Sequence, residues 1–269
     1  MDKLIYLYAL VPTTEASDKT LPSLPSFDKK GELQTLSIGG STAIVCELDP
    51  EEYSEKVIEN KIENDMEWLQ DKAFYHHEII ATLDQHYTLI PLKFCTIYKS
   101  PESLKETIKD VEAKVMETFE FLENKQEWTL KIYGDDKKLR KHIDKKNETI
   151  AQKRQEISDM PRGRRFFEEK KIDSIIDKEL DKEKERIGER LHEQLKQYAV
   201  KYSIKKNWGK DVTGLTEDMI WNSVYLISEE NLEAFTKFIE QEQGSIKEDG
   251  WRVEAAGPWP AYHFSSFYQ

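Results

Sequence analysis

Three groups of side chains in this 269-residue chain have the types needed for chemistry: His76-His77-Glu78, the thiols Cys46 and Cys95, and the cations between Lys137 and Lys171. A metal ion needs three or four ligands converging on one point. Neighbouring helical residues instead point about 100° apart. His76, His77 and Glu78 therefore read as polar helix surface, with His86 on another face. A catalytic thiol needs a base beside it and an electropositive setting. Cys46 and Cys95 both fall in apolar strand patterns and read as packed free thiols in a reducing cytosol. Gly209-Lys210-Asp211-Val212-Thr213-Gly214 has too few glycines for a phosphate loop and reads as a turn. Asp135-Asp136 needs only a helix N-terminus to explain it. No catalytic, cofactor-binding or metal-binding residue is assigned, no cofactor is expected, and the chain does not read as an enzyme.

The remaining candidates are binding surfaces. Acidic residues outnumber basic ones by 52 to 40, for a net charge of −12, which argues against nucleic acid as a partner. No apolar run approaches the roughly 20 residues a membrane helix needs, and the first residues read as a strand, not a signal peptide. Charged residues make up 34% of the chain, so the expectation is a soluble, cytoplasmic protein. The charge is nevertheless segregated. Lys137 to Lys171 holds thirteen Lys/Arg against six Asp/Glu. Arg162, Arg164 and Arg165, beside Phe166 and Phe167, are its densest part. That run reads either as a solvated helix surface or as a docking arm for an acidic partner. From Trp251 to Tyr268 the chain is rich in aromatics and prolines. It reads either as a tail packed on its own sheet or as a partner patch centred on Trp259 and Tyr262, since Trp and Tyr dominate interface hot spots.

The elements that must position these residues are arranged around Thr88 to Glu102. Leu89, Ile90, Leu92, Phe94, Ile97 and Tyr98 put apolar groups on both faces of an expected strand, bulged or at an edge near Pro91. Ser100, Pro101 and Glu102 then open a helix. Upstream, Lys3 to Val11 reads as a central strand, Pro12 to Lys30 as a loop, and Glu32 to Leu48 as a hairpin turning at Gly39-Gly40. Asp49 caps a short helix, and Ile62 to Leu83 form another. Leu104 to Leu122 carry one amphipathic helix. The expected boundary separates an N-terminal α+β domain, 1–124, from a second domain, 125–269. That second domain opens with the strand Glu127–Tyr133. A helical hairpin follows, 135–202, with a narrow seam suited to helix–helix contact and a tip near Pro161 and Gly163. Then come strands at Ser203–Val212 and Met219–Ile227, a helix capped by Ser228 and ended by Gly244, and a strand at Trp251–Ala255. The order βαββαβ predicts an α+β, ferredoxin-like second domain with its first helix enlarged.

Four stretches carry a family likeness: YLYALVP at 6–12, LIPLKFCTIY at 89–98, EWTLKIY at 127–133 and GWRVEAAGPWPAYHF at 250–264. In order and spacing the chain resembles the gas vesicle protein GvpF/GvpL family, and more its GvpL branch. Lys93-Phe94-Cys95 stands where the family often has Arg-Phe-Gly, and Ala261 where it often has a second proline. Lys93 therefore inherits no bidentate arginine role. The resemblance implies a non-enzymatic accessory protein of gas vesicles, the hollow protein shells that give cells buoyancy. Its implied partners are the major shell protein GvpA and other accessory proteins. A ferredoxin-like cytosolic enzyme or ligand-binding module is the alternative, which a convergent acid/base or metal constellation would favour.

Overall fold

The computed structural model describes residues 3–267, apart from the side chain of Arg162. It is a mixed α/β protein with two sheets. The chain divides into two compact units, Met1–Glu127 with Pro258–Gln269, and Trp128–Gly257. The last segment thus groups with the first half of the chain, whereas the sequence reading placed all of 125–269 together. No helix among the described residues is long and apolar enough to cross a membrane.

The first unit is built on β1 (Leu4–Pro12), whose interior is entirely buried. α1 (Thr13–Asp18) occupies part of the expected loop. The hairpin β2 (Gln34–Ile38) and β3 (Ser41–Leu48) turns at Gly39-Gly40, with Gly39 at φ 58°. β3 pairs antiparallel with β1. Three helices follow: α2 (Pro50–Tyr53), α3 (Glu55–Asn64) and α4 (Met66–Asp84). Asp49 and Asp65 cap α2 and α4 by accepting backbone N–H bonds.

The organising stretch departs from the expected buried strand. It forms two short pieces, β4 (Ile90–Pro91) and β5 (Ile97–Tyr98), both antiparallel to β1. The sheet order is β2-β3-β1-β4, with β5 also on β1. Pro91 has no N–H for the ladder, and Cys95 adopts φ 62°, a left-handed conformation that no continuous strand accommodates. The chain therefore bulges away between Leu92, whose N–H still donates to the Tyr8 carbonyl, and Thr96, whose carbonyl accepts from the Leu7 N–H.

α5 (Pro101–Asp110) begins with a capping box between Ser100 and Ser103. α6 (Glu112–Leu122) is separate from it, because the expected single helix breaks at Val111. Leu104, Ile108, Val115, Phe119 and Leu122 are still buried along one stripe, so the break preserves the buried face.

The second sheet starts with β6 (Lys125–Gly134). The hairpin's first arm is two helices, α7 (Asp136–Lys146) and α8 (Glu148–Ser158), broken at Asn147, whose side chain caps α8. The second arm is one helix of 34 residues, α9 (Arg162–Leu195). Leu139, Ile143, Ile150 and Ile157 meet Ile172, Ile176 and Leu180 in a seam. It runs without interruption into the core over the sheet, which holds Leu130, Ile132, Tyr225 and Phe235. The base of α7 is fastened by His142 and Lys146 to Asp249, at 2.8 and 3.7 Å. The arm's inner part is thus integral to the unit, and only α8 and the tip are candidates for removal. Deleting 148–168 and joining Asn147 to Glu169 by a short Gly/Ser bridge should keep a single cooperative unfolding transition. Loss of that transition by calorimetry would show that α8 is integral too.

β7 (Ala199–Ile204) begins and ends earlier than expected. One more ladder bond follows, from the Lys205 N–H to the Asn222 carbonyl; beyond it, Asn222 Nδ2 donates to the Lys206 carbonyl at 2.9 Å and Asn207 Nδ2 to the Ile220 carbonyl at 2.8 Å. These side-chain bonds replace ladder pairing, and α10 (Lys210–Thr213) follows from a cap at Gly209. β8 (Asp218–Ser228) pairs antiparallel with β7. α11 (Glu229–Ile246) passes through Gly244 instead of stopping there, and the chain turns at Gly250, φ 107°. The Ser228 hydroxyl makes no cap to the α11 backbone. β9 (Trp251–Trp259) completes the order β7-β8-β6-β9.

Candidate functional site

His76 is the main correction to the surface reading. It is 3% exposed, in a core of Tyr6, Tyr8, Phe27 and Phe94. Its Nδ1 lies 2.8 Å from the Tyr6 hydroxyl and its Nε2 lies 3.3 Å from the Leu92 carbonyl. Burial pushes the imidazole down to about 4, so it is neutral near pH 7. A carbonyl only accepts, so Nε2 carries the proton and Nδ1 accepts from Tyr6. The Tyr6 oxygen in turn accepts from the Cys95 N–H at 3.1 Å. Both ends of this chain of bonds close on the 92–95 bulge, and its task is to hold that bulge on α4.

The thiols are poor nucleophiles. Burial raises Cys46 to about 11 and Cys95 to about 12. No group of three or more metal-ligating side chains occurs among the described residues. Cys95 does border a largely apolar groove of about 630 Å³ in the first unit. Leu4, Tyr53, Ile58, Ile97 and Tyr98 line it, with Glu55, Glu59 and Lys99 at its rim.

His77, next in sequence to His76, faces the C-terminal tail. Its ring centroid lies 5.6 Å from that of Trp259 and 6.2 Å from that of Tyr262. The tail is tied down by Glu127, a buried carboxylate. Oε2 accepts from the His263 N–H at 2.9 Å, and Oε1 lies 2.6 Å from His263 Nδ1. Ala261, Phe264 and Phe267 are buried around it. Asp84 is raised to about 6 by burial and secondarily by the Glu127 charge. Burial, then Asp84 and Glu127, also raises the Tyr262 phenol. Tyr262 is thus a half-buried anchor in the first core, whereas Trp259 is 37% exposed.

The arginines belong to the other unit. Arg165 Nη2 donates to the carbonyls of Ser158 at 2.5 Å and Met160 at 3.5 Å, which closes the hairpin tip. Arg164 is exposed, and the side chain of Arg162 lies outside the described residues. Phe166 and Phe167 are 57% and 67% exposed, with Lys170 Nζ 4.9 Å over the Phe166 ring. Much of the arm's charge is spent internally, as in the pairs Arg154–Asp144 and Arg140–Asp177.

Sequence reasoning missed His77, Asp84, Glu127 and His263. His77 and Asp84 are seven residues apart on α4, hence on one face, but nothing in the sequence says that this polar face meets the tail. Glu127 sat at an outward position of an alternating strand, and its partner lies 136 residues away.

The architecture as a whole is shared with solved gas vesicle proteins. GvpF from Anabaena sp. PCC7120 superimposes with a TM-score of 0.70 at 22% identity, covering 100% of both chains. GvpF from Microcystis aeruginosa gives 0.63 at 20% identity, over 99% of this chain and 100% of its own. Gas vesicle protein L of Streptomyces sp. (strain CB03234) is 22% identical over 264 residues, 98% of this chain and 93% of that protein. The family described as gas vesicle synthesis protein GvpL/GvpF matches residues 4–266, and the chain belongs to that family.

Proposed function

We propose that this protein is a non-enzymatic assembly or minor structural component of gas vesicles, working in the cytoplasm and at the vesicle. It binds the major shell protein GvpA, and other accessory proteins are further partners. Family membership supports the vesicle role. The binding surface rests on one observation: Trp259 is 37% exposed, with His77 beside its ring and the tail bonded to Glu127 through His263. A shell protein that faces gas must present a strongly apolar surface, which a restrained aromatic ring on a chain of net charge −12 would cover while keeping the complex dispersed. The second sheet's order, β7-β8-β6-β9, supports a ferredoxin-like second domain that carries the basic hairpin as a secondary docking element.

The test is binding to GvpA at low and high salt, with folding checked by melting. Trp259→Ala should cost about 2 kcal/mol at both salts, as for a central hot spot. Arg164→Ala should cost less, and only at low salt, because rim charges are screened. Arg164 is chosen over Arg165, whose loss would open the tip. A Trp259→Ala variant that folds normally and binds like wild type at both salts removes the aromatic surface from this reading.

A further inference from the structure

β7 ends the second sheet, and no strand among the described residues pairs with its outer side. Its register with β8 decides which backbone groups face out. The Lys205 N–H donates to the Asn222 carbonyl at 2.8 Å. An antiparallel ladder bonds at every second residue. Ser203, opposite Val224, and Lys201, opposite Leu226, therefore turn their peptide groups toward β8. Those of Tyr202 and Ile204 turn outward. Their side chains are 45% and 54% exposed and share one face of the strand, while Lys201, Ser203 and Lys205 share the other. On that face the Tyr202 ring also meets His192, at 4.8 Å between centroids, and a bulge at 199–201 ends the regular pairing.

The charge here opposes that of the whole chain. Lys196 to Lys210 contains five lysines and no acidic residue, in a protein of net charge −12. Lys196 and Lys210, at its ends, pair with Glu193 and Asp218. Lys201, Lys205 and Lys206 lie between them.

We propose that β7 is a docking edge for an extended acidic segment of a partner protein, which adds to the sheet as a fifth strand. The outward peptide groups of Tyr202 and Ile204 bond its backbone. The incoming strand alternates apolar residues, laid over Tyr202 and Ile204, with carboxylates laid over Lys201 and Lys205. Two faces of opposite character on one edge specify that alternation, since cross-strand neighbours interact pairwise. A second copy of this chain fits poorly, because two β7 strands would set lysine against lysine. This surface is independent of Trp259 and does not rest on the GvpA reading.

The test is fluorescence anisotropy with the labelled peptide Glu-Val-Glu-Tyr-Glu-Val-Glu on the full chain. The same residues with the glutamates gathered at one end serve as control. The alternating peptide should bind more tightly than the control and weaken with salt. Ile204→Pro removes an N–H that β8 does not use, and edge strands tolerate such a proline. It should weaken binding about tenfold, the worth of one hydrogen bond and one cross-strand contact. Lys201→Glu/Lys205→Glu, a surface change that spares the backbone should the proline disturb folding, should lose the acidic peptide and gain its lysine analogue. Equal binding of both peptides, or wild-type binding by both variants, overturns the proposal. So does self-association abolished by Ile204→Pro, which would make a second copy the occupant. Binding to phosphatidylserine vesicles without binding to the peptide overturns it as well.

Discussion

Phe27→Ala is expected to destabilise the protein by about 3–5 kcal/mol, the usual loss for a fully buried phenylalanine. Phe27 lies in a stretch that has no helix or strand periodicity, yet it is 0% exposed. Its ring stacks on Tyr6 at 4.4 Å and meets Tyr53, Trp68 and Phe94 within 6.4 Å. Lys72 Nζ lies 5.1 Å over the same ring and donates to the Phe27 carbonyl at 2.7 Å. Truncation therefore opens a cavity walled by rigid aromatics, which collapse poorly around a gap. Phe94, the aromatic of the organising stretch, is only partly buried, so Phe94→Ala should cost about half as much. Urea unfolding of the two variants checks the order. If Phe94→Ala proves the more damaging, the core is not centred on the loop residue.

Asp84→Asn should stabilise the protein in a pH-dependent way. The native carboxyl titrates at about 6, above its ordinary 3.8, because burial opposes its charge and Glu127 adds repulsion. A group raised in the folded state contributes stability below its unfolded value and loses that contribution as pH rises through the folded one. Ionised Asp84 thus holds back up to about 3 kcal/mol at pH 8. The asparagine variant should recover much of this at pH 8 and nothing near pH 4. His76 works in the other direction. Its value is lowered to about 4, so its contribution is present above 6.5 and is lost as pH falls through about 4. Between these limits the two groups offset each other, and wild-type stability should change little with pH. Removing Asp84 exposes the His76 dependence, so the variant should lose stability more steeply on acidification. Urea midpoints at pH 4.5, 6 and 8 read this directly. A constant difference between variant and wild type across the three would show that Asp84 is not held in its neutral form.

Local physics accounts for most of what was legible in advance. Asp49, Ser100 and Asp135 cap helices because their short side chains reach free N–H groups nearby. Gly39-Gly40 turns a hairpin because glycine tolerates a positive φ. The seam from Leu139 to Leu195 follows from spacing along a helix. The family likeness was legible because YLYALVP, LIPLKFCTIY and the Gly257–Tyr262 segment stand in a fixed order.

Tertiary structure alone decided the rest, wherever the deciding partner was remote. His76 and His77 differ by one position, yet one is sealed in an aromatic core and the other lies beside the Trp259 ring. A helix turns by roughly a quarter circle per residue, and which quadrant faces the core depends on what packs there. Apolar residues on both faces of 89–98 suggested a continuous central strand, but Pro91 and the left-handed Cys95 confine its pairing to two short contacts with β1. The Lys206–Trp208 stretch reads as extended from sequence, but Asn222 and Asn207 bond carbonyls across the two segments there and end the ladder. Trp259 and Tyr262, equivalent as aromatic letters, were separated into an exposed ring and a half-buried anchor by Glu127, which binds His263 from 136 residues away. Composition and periodicity carry no information over such separations, because they record what each residue prefers and not which residue it meets.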